Sequence, residues 1–510
     1  MLNRKQSLKQ PFPKFLIRSA WLLISIFIIA FSPATTSYGS SDFDIDRTLQ
    51  EETFFSCTEN LTPNEAYLLK PAVIGDQAFL ILFNAESGKY EIWKSDGTTS
   101  GTEKRTALPD FQDVQFSGIT INNRLIFTGE TIVNHYGLYS SDAYASPELL
   151  YGNDTHGGEV YGGYYYFYVY NNFTDQLWRT DGTFAGTEMI RAFDSAMYWS
   201  ELPYFFLTGE TDQGLWYLDD NNLEVRHLNS DSEYYDSSVE PLNADKALIA
   251  NHLLDGTVNI LVTDGTDAGT SLLKAIPQKN FYKAGHSDQY TFFQISLSLN
   301  SNWRTLWQSD GTVDGTFEID PTFQIDDIEN SFNNGDAMLA MVDNGSDHSI
   351  IQVSGADGGS IDVLAGSENA WRSYNPFVPF QGKVFYLDTL DGTAALFSIE
   401  NRVVSPLTAS TVSFYDANQL RSSRYGWLTF LGKDGDNRST MYISDGTAAG
   451  IRPVFTLPQT DAAIQTFDSQ SGNKIFIWAS FDDPSTLMPR HHFYACQVFS
   501  QKVFLPAILN

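Results

Sequence analysis

The side chains with most scope for chemistry in this 510-residue chain are its carboxylates, 62 Asp and Glu in all. Five aspartates recur in one phrase. Asp96, Asp181, Asp264, Asp310 and Asp445 each open an Asp-Gly-Thr turn, in IWKSDGTTSGT (92–102), LWRTDGTFAGT (177–187), ILVTDGTDAGT (260–270), LWQSDGTVDGT (306–316) and MYISDGTAAG (441–450). A repeated carboxylate raises the question of calcium, which takes carboxylate and carbonyl oxygens. DGTxxGT lacks the alternating carboxylates of a calcium loop, and Asp434-Gly-Asp436-Asn437 comes nearest to that spacing. Turn chemistry explains the phrase better. The Asp accepts backbone N–H bonds, and Gly97, Gly182, Gly265, Gly311 and Gly446 supply positive φ at little steric cost. The second glycine re-aims the chain into the next strand. The metal assignment stays open: no cofactor is expected other than calcium, which the acidic composition would serve.

Other reactive types give no constellation. The sequence holds no HExxH zinc motif, GxSxG elbow, Walker loop or dinucleotide fingerprint. Eight histidines are scattered, and His491-His492 are the adjacent pair. Neighbours on a strand face opposite ways, so these two do not chelate one ion. No catalytic residue is assigned, although carboxylates are numerous enough that a glycosidase or lyase with a pair of them in a central funnel stays open as an alternative.

The elements that position the aspartates follow from their spacing. The five lie 85, 83, 46 and 135 residues apart, close to two, two, one and three units of roughly 44. Worn copies fill the gaps: Tyr139-Ser-Ser-Asp142, Trp216-Tyr-Leu-Asp219, Ile351-Gln-Val-Ser354, Phe397-Ser-Ile-Glu400, and a late tenth at Tyr494-Ala-Cys-Gln497. Ahead of each marker stands an apolar run of strand length, such as AFLILF (78–83), YYYFYVY (164–170) and KIFIWA (474–479). Continuous runs this short suit strands covered on both faces. Each unit therefore reads as strand, turn, buried strand, loop, Trp-bearing strand, DGT loop and closing strand. The large residue three places before the Asp supplies packing area between units. Tyr164, Tyr165, Tyr166, Tyr168 and Tyr170 read as interblade packing, with a sugar- or peptide-binding platform as the sharper alternative.

The phrases resemble the bacterial ELWxxDGT repeat family, in its fuller form ELWxSDGTxxGT. Five units match well, and Glu91 keeps the leading Glu where another unit has Gln176. The resemblance implies an exported, repetitive, propeller-like protein and brings no active-site residues.

The fold class expected is all-β, a β-propeller of about ten four-stranded units (8–10 blades) with the ring closed near the termini. A smaller ring, an open solenoid and two packed arrays stay open beside it. Residues 1–39 read as a signal peptide: Arg4, Lys5, Lys9, Lys14 and Arg18 precede the apolar run Ala20 to Phe31, and Ser37 and Gly39 suit cleavage before Ser40. An uncleaved anchor is the rival reading. Residues 40–510 read as a single repeat domain. Cleavage removes five basic residues and no acidic ones, so the net charge goes from −31 to −36. Such a chain does not grip nucleic acid through phosphates. In an exported protein the two cysteines, Cys57 and Cys496, read as a bridge. A ring brings the first and last units together and makes that bridge geometrically natural, whereas an open array keeps them apart. Five Asn-x-Ser/Thr sequons occur, at Asn60, Asn153, Asn172, Asn344 and Asn437. The expected role is a secreted or cell-envelope scaffold, monomeric and without a membrane span after cleavage, for a protein or carbohydrate ligand. A calcium-stabilised structural module is the further alternative.

Overall fold

The computed structural model describes residues 50–503 apart from 63–65, 109, 134, 172–173, 195, 209–213, 220–223, 230–233, 244, 346, 368–376, 392, 408–414, 424–425, 472–473 and 482–489. The expected signal peptide lies outside the described residues, as does Asn172. Among the described residues no helix is long and apolar enough to cross a membrane.

The chain forms ten antiparallel sheets, and these are the ten blades of a β-propeller. Blade 1 shows the plan. Its first strand comes in two pieces, Ala66–Leu68 and Ala72–Ile74, both paired to the second, Gln77–Asn84; Lys89–Ser95 and Thr102–Leu108 follow. Blades 2 to 9 span residues 111–151, 156–193, 196–229, 234–276, 281–325, 327–367, 378–407 and 415–456. Blade 10 takes three strands from residues 462–503, and its fourth is the N-terminal strand Gln50–Cys57. All ten apolar runs are second strands.

Why those strands are apolar on both sides is visible in the packing. Successive side chains of a strand point to opposite faces. Ala78, Leu80 and Leu82 pack on Phe476, Phe493 and Ala495 of blade 10. Their neighbours Phe79 and Ile81 pack on Val114, Leu125 and Phe127 of blade 2. Ten such cores lie one at each junction of consecutive blades, the junction of blade 10 with blade 1 included. The ring is closed, which removes the open-array and smaller-ring alternatives. The tryptophans do what their spacing predicts: Trp93, Trp178, Trp216 and Trp307 each join the core shared with the preceding blade.

Closure is covalent. Cys57 and Cys496 form a disulfide across 439 residues, with their Cα atoms 3.9 Å apart. Beyond it the chain stays zipped to the third strand of blade 10. Thr58 N–H donates to Ala495 O (2.9 Å), Leu61 N–H to Phe493 O (2.8 Å), and Phe493 N–H to the Asn60 side chain (3.1 Å). The Asn60-Leu-Thr62 sequon is thus part of the clasp, since Asn60 Oδ1 also accepts from Thr62 N and Oγ1.

Candidate functional site

In a four-stranded meander the 1–2 and 3–4 turns share one face of the ring. All five DGT turns connect third to fourth strands, so they ring that face together. Their geometry repeats. Asp96 Oδ1 accepts from Thr98 N (2.9 Å) and Thr98 Oγ1 (2.7 Å), and the Thr98 hydroxyl accepts from Gly101 N (2.9 Å). At the base, Ser95 and Thr102 pair their hydroxyls at 2.7 Å, and Ser95 Oγ accepts from Gly97 N. Asp181, Asp264 and Asp310 repeat every one of these bonds. Asp445 does too, except that Ile451 has removed the hydroxyl partner and Ser444 turns to the Thr447 carbonyl. Burial opposes ionisation of Asp96, but the Thr98 hydroxyl and amide outweigh it and hold the carboxyl below the usual range. For Asp264 the Thr266 hydroxyl and amide are the leading cause of the same lowering.

The two glycines have separate duties. The second does more than turn the chain: a Cβ on Gly101 would stand 2.0 Å from Asp96 Oδ1, so the carboxylate folds into the space a side chain would need. The first, at φ +84° in Gly97, rests on the preceding blade, where a Cβ would meet Lys474 and Ala495. Gly182 rests likewise on Arg124 and Ile121, Gly311 on Leu242, and Gly446 on Phe380 and Phe385. The DGT turns are therefore clips between blades.

The other sequence candidates have the following surroundings. Asp434 accepts from the amides of Asp436 and Arg438 and pairs with the Arg438 guanidinium (2.8 Å), so the spacing nearest a calcium loop is a turn closed by its own arginine. Among the described residues no group of three or more His, Cys, Asp or Glu is placed to hold a metal. His491 Nδ1 accepts from Leu68 N (2.9 Å) across the junction of blades 10 and 1, while the His492 ring lies beside Phe481 and Tyr494. Burial, then the neighbouring His492, pushes His491 down to about 4. In the tyrosine run Tyr165 and Tyr166 are core, and Tyr170 is exposed. Carboxylates crowd at one inner strand, that of blade 7. Glu329 occupies a bulge, and burial with Asp327 and Asp343 holds its carboxyl above the usual range. Both of those aspartates have a basic side chain near them: Asp327 lies 2.5 Å from the Arg304 guanidinium, and Asp343 lies 3.8 Å from the His348 ring.

The feature that sequence reasoning missed is a cleft of about 600 Å³ on the DGT face. It runs along the junction of blades 4 and 5 and reaches blade 3. Tyr161, Tyr204 and Tyr217 line it with Asn243, Asp245, Lys246 and Asp264. The Tyr204 and Tyr217 rings are 5.2 Å apart and tilted by 57°. Tyr217 lies flat on the turn of blade 5, since a Cβ on Gly265 would meet its ring at 2.7 Å. Tyr204 is held above the ordinary phenol range by burial, by Tyr217, by the Asp264 carboxylate and by Tyr161, so these groups converge. Lys246 is exposed and makes no ion pair among the described residues. A second cleft, about 330 Å³, lies between blades 2 and 3 and has a mixed lining that includes Phe116, Ile126, Leu138, Gln115, Thr128 and Tyr165.

No protein-family model matches the chain, and no curated protein matches it. Among solved structures, one of a study of two prolyl endopeptidases is 9% identical, covering 81% of this chain and 53% of that one, with a TM-score of 0.35. Porphyromonas gingivalis dipeptidyl peptidase 4 is 10% identical, covering 85% and 58%, at 0.39. The β-propeller domain of the Trilobed protease from Pyrococcus furiosus is 13% identical, covering 77% and 99%, at 0.29. This chain thus spans little more than half of the two peptidase chains. Scores of this size place no residue of this chain on a residue of theirs.

Proposed function

We propose that the chain is an exported repeat protein of the ELWxxDGT type, and that it acts as a binding scaffold rather than through catalysis. The observation that carries this reading is the division of labour on the DGT face. The repeated Asp and Thr side chains bond within their own turns, and those turns rest on the preceding blade, while blades 4 and 5 open a cleft lined by aromatic rings, by Asn243, Asp245 and Lys246 from outside the DGT phrase, and by Asp264 of the blade 5 turn. A concave site of a few hundred Å³ with a few convergent polar groups is what small-ligand recognition needs. The disulfide supports export, because such a bond persists in oxidising compartments. N-terminal sequencing of the exported protein is expected to begin at Ser40.

The test of the scaffold role is a paired assay on the oxidised mature chain with defined soluble glycans and peptides. One arm measures saturable binding and the other measures release of product. Binding without product is the expected outcome. Product release that disappears in Glu329→Gln, at the inner strand where carboxylates crowd, would replace the scaffold with an enzyme.

A further inference from the structure

We propose that the cleft between blades 4 and 5 binds a neutral oligosaccharide; this deepens the binding role stated above and rests on it. Three properties of the cleft select that chemistry. The first is its aromatic surface. Tyr161 and Tyr217, both half-buried, offer ring surface with hydroxyl edges, and the buried Tyr204 backs Tyr217; a sugar ring is matched to such a surface, with an apolar C–H face and a polar rim.

The second property is the mixture of donors and acceptors around those rings. Asp264 and Asp245 accept, Lys246 donates, and Asn243 does both. The Asn243 oxygen already takes the Asp245 amide (3.0 Å), which fixes the side chain and turns its role toward donation. Asp264 spends Oδ1 on Thr266, and its Oδ2 takes no hydrogen bond among the described residues. Sugar hydroxyls each donate and accept, so they satisfy such a mixed set where a purely anionic or cationic ligand would not.

The third property excludes the rival ligands. The chain carries a net charge of −31, and the cleft itself holds two carboxylates against one ammonium, which repels acidic polymers. An extended peptide would bind by pairing with backbone, but Pro203 and Pro241 line the cleft and have no N–H to give.

The experiment is calorimetric titration of the oxidised mature chain with linear hexasaccharides of β-1,4-glucose, β-1,4-xylose, β-1,4-mannose and α-1,4-glucose. An oligogalacturonate and an unstructured hexapeptide serve as contrasts. At least one neutral hexasaccharide is expected to bind saturably. The double variant Asn243→Ala with Lys246→Ala changes two exposed side chains and removes the turn bond that the Asp245 amide donates to Asn243; it should weaken that binding by about tenfold or more while unfolding stays cooperative. Tyr217→Phe keeps the ring on Gly265 and should weaken binding less. Failure of every neutral hexasaccharide to bind overturns the proposal, as does binding that the double variant leaves intact. Binding of the oligogalacturonate or the peptide in their place, lost in the double variant, overturns the sugar assignment while the scaffold role stands.

Discussion

Blades 1 and 10 join their third and fourth strands in different ways at the same place. In blade 1 the strand ends at Ser95, the turn from Asp96 to Gly101 carries the chain round, and Thr102 begins the fourth strand opposite Ser95. Cys496 holds the Ser95 position of blade 10, two residues after Tyr494 as Ser95 is two after Trp93. Opposite it stands Cys57, where blade 1 has Thr102. No turn joins these strands, because the chain's two ends run out there side by side. The disulfide therefore replaces a hydroxyl pair and does covalently what the DGT turn does through chain continuity. The difference teaches that the repeat makes a blade only when its third and fourth strands are held together, and that the closing blade needs a substitute for the missing turn.

The comparison breaks most sharply if the bond is removed. Cys57→Ser with Cys496→Ser leaves the two strands held by backbone bonds such as Thr58 to Ala495. The chain-entropy account puts a bridge over so long a loop at about 6 kcal/mol, and measured bridges usually deliver less. A loss of about 3–6 kcal/mol is expected, read as a fall in urea midpoint that reductant reproduces in the unaltered protein. An unchanged midpoint would mean that hydrogen bonds alone close the ring.

The matching change in blade 1 is Gly101→Ala. Its Cβ would sit 2.0 Å from Asp96 Oδ1, so the carboxylate must leave Thr98 or the turn must open. The expected cost is about 2–3 kcal/mol in denaturant unfolding. Gly435→Ala has open space around it and serves as the control. Equal effects from the two would remove the steric reading of the second glycine.

Much of this was legible in the sequence. The DGT phrases fixed the unit length, and even the worn markers Asp219, Ser354 and Glu400 fall on third strands or at their ends. Apolar runs were legible because a second strand serves two cores at once, as Leu80 and Ile81 do. The fourth strand of blade 10 was not legible, because Gln50–Cys57 carries no marker and pairs with residues over four hundred positions away. Nor was the role of Gly101 as a void for its own aspartate, since a turn glycine and a space-making glycine look alike in sequence. The cleft left no periodic signal. Tyr161, Tyr204, Tyr217 and Asp264 come from three blades and span about a hundred residues, whereas the tyrosine cluster that stood out at 164–170 is largely core.

Acid should separate the two kinds of joint. Neutral His491 accepts from Leu68 N beside the closing clasp, and the protonated ring cannot. Burial holds its folded value at about 4, below the unfolded 6.5. Its contribution is therefore present above pH 6.5 and is lost as pH falls toward 4. The DGT carboxylates Asp96 and Asp264 are shifted below the usual carboxylate range, so their contribution is lost only at lower pH. The junction of blades 10 and 1 should weaken first, by about 1–2 kcal/mol once partial exposure of the imidazole is allowed for. Tm followed from pH 7 to pH 4 should fall less steeply in His491→Gln than in the unaltered protein. Parallel curves would show that the histidine plays no part in acid opening.

The smallest effect tests whether worn repeats can be restored. In blade 1 the Trp93 indole donates to Glu91 (2.8 Å), and in blade 3 the Trp178 indole donates to Gln176 (3.1 Å). The leading residue of the ELW phrase is thus the acceptor for the tryptophan two places on. Blade 6 keeps the tryptophan and has lost the acceptor: Thr305 stands in that position, and Trp307 Nε1 is buried with no partner among the described residues. A buried donor left unmade costs about 1–3 kcal/mol, and a new neutral bond returns part of that. Gln fits the position better than Glu, because Glu91 has Lys104 beside it at 3.3 Å and blade 3 already shows the amide in the same role. Thr305→Gln is expected to raise stability by about 0.5–1 kcal/mol in urea unfolding. The reverse change Gln176→Thr should lower it by a similar amount. If Thr305→Gln destabilises instead, blade 6 has repacked around the threonine, and the motif's first letter cannot be restored one blade at a time.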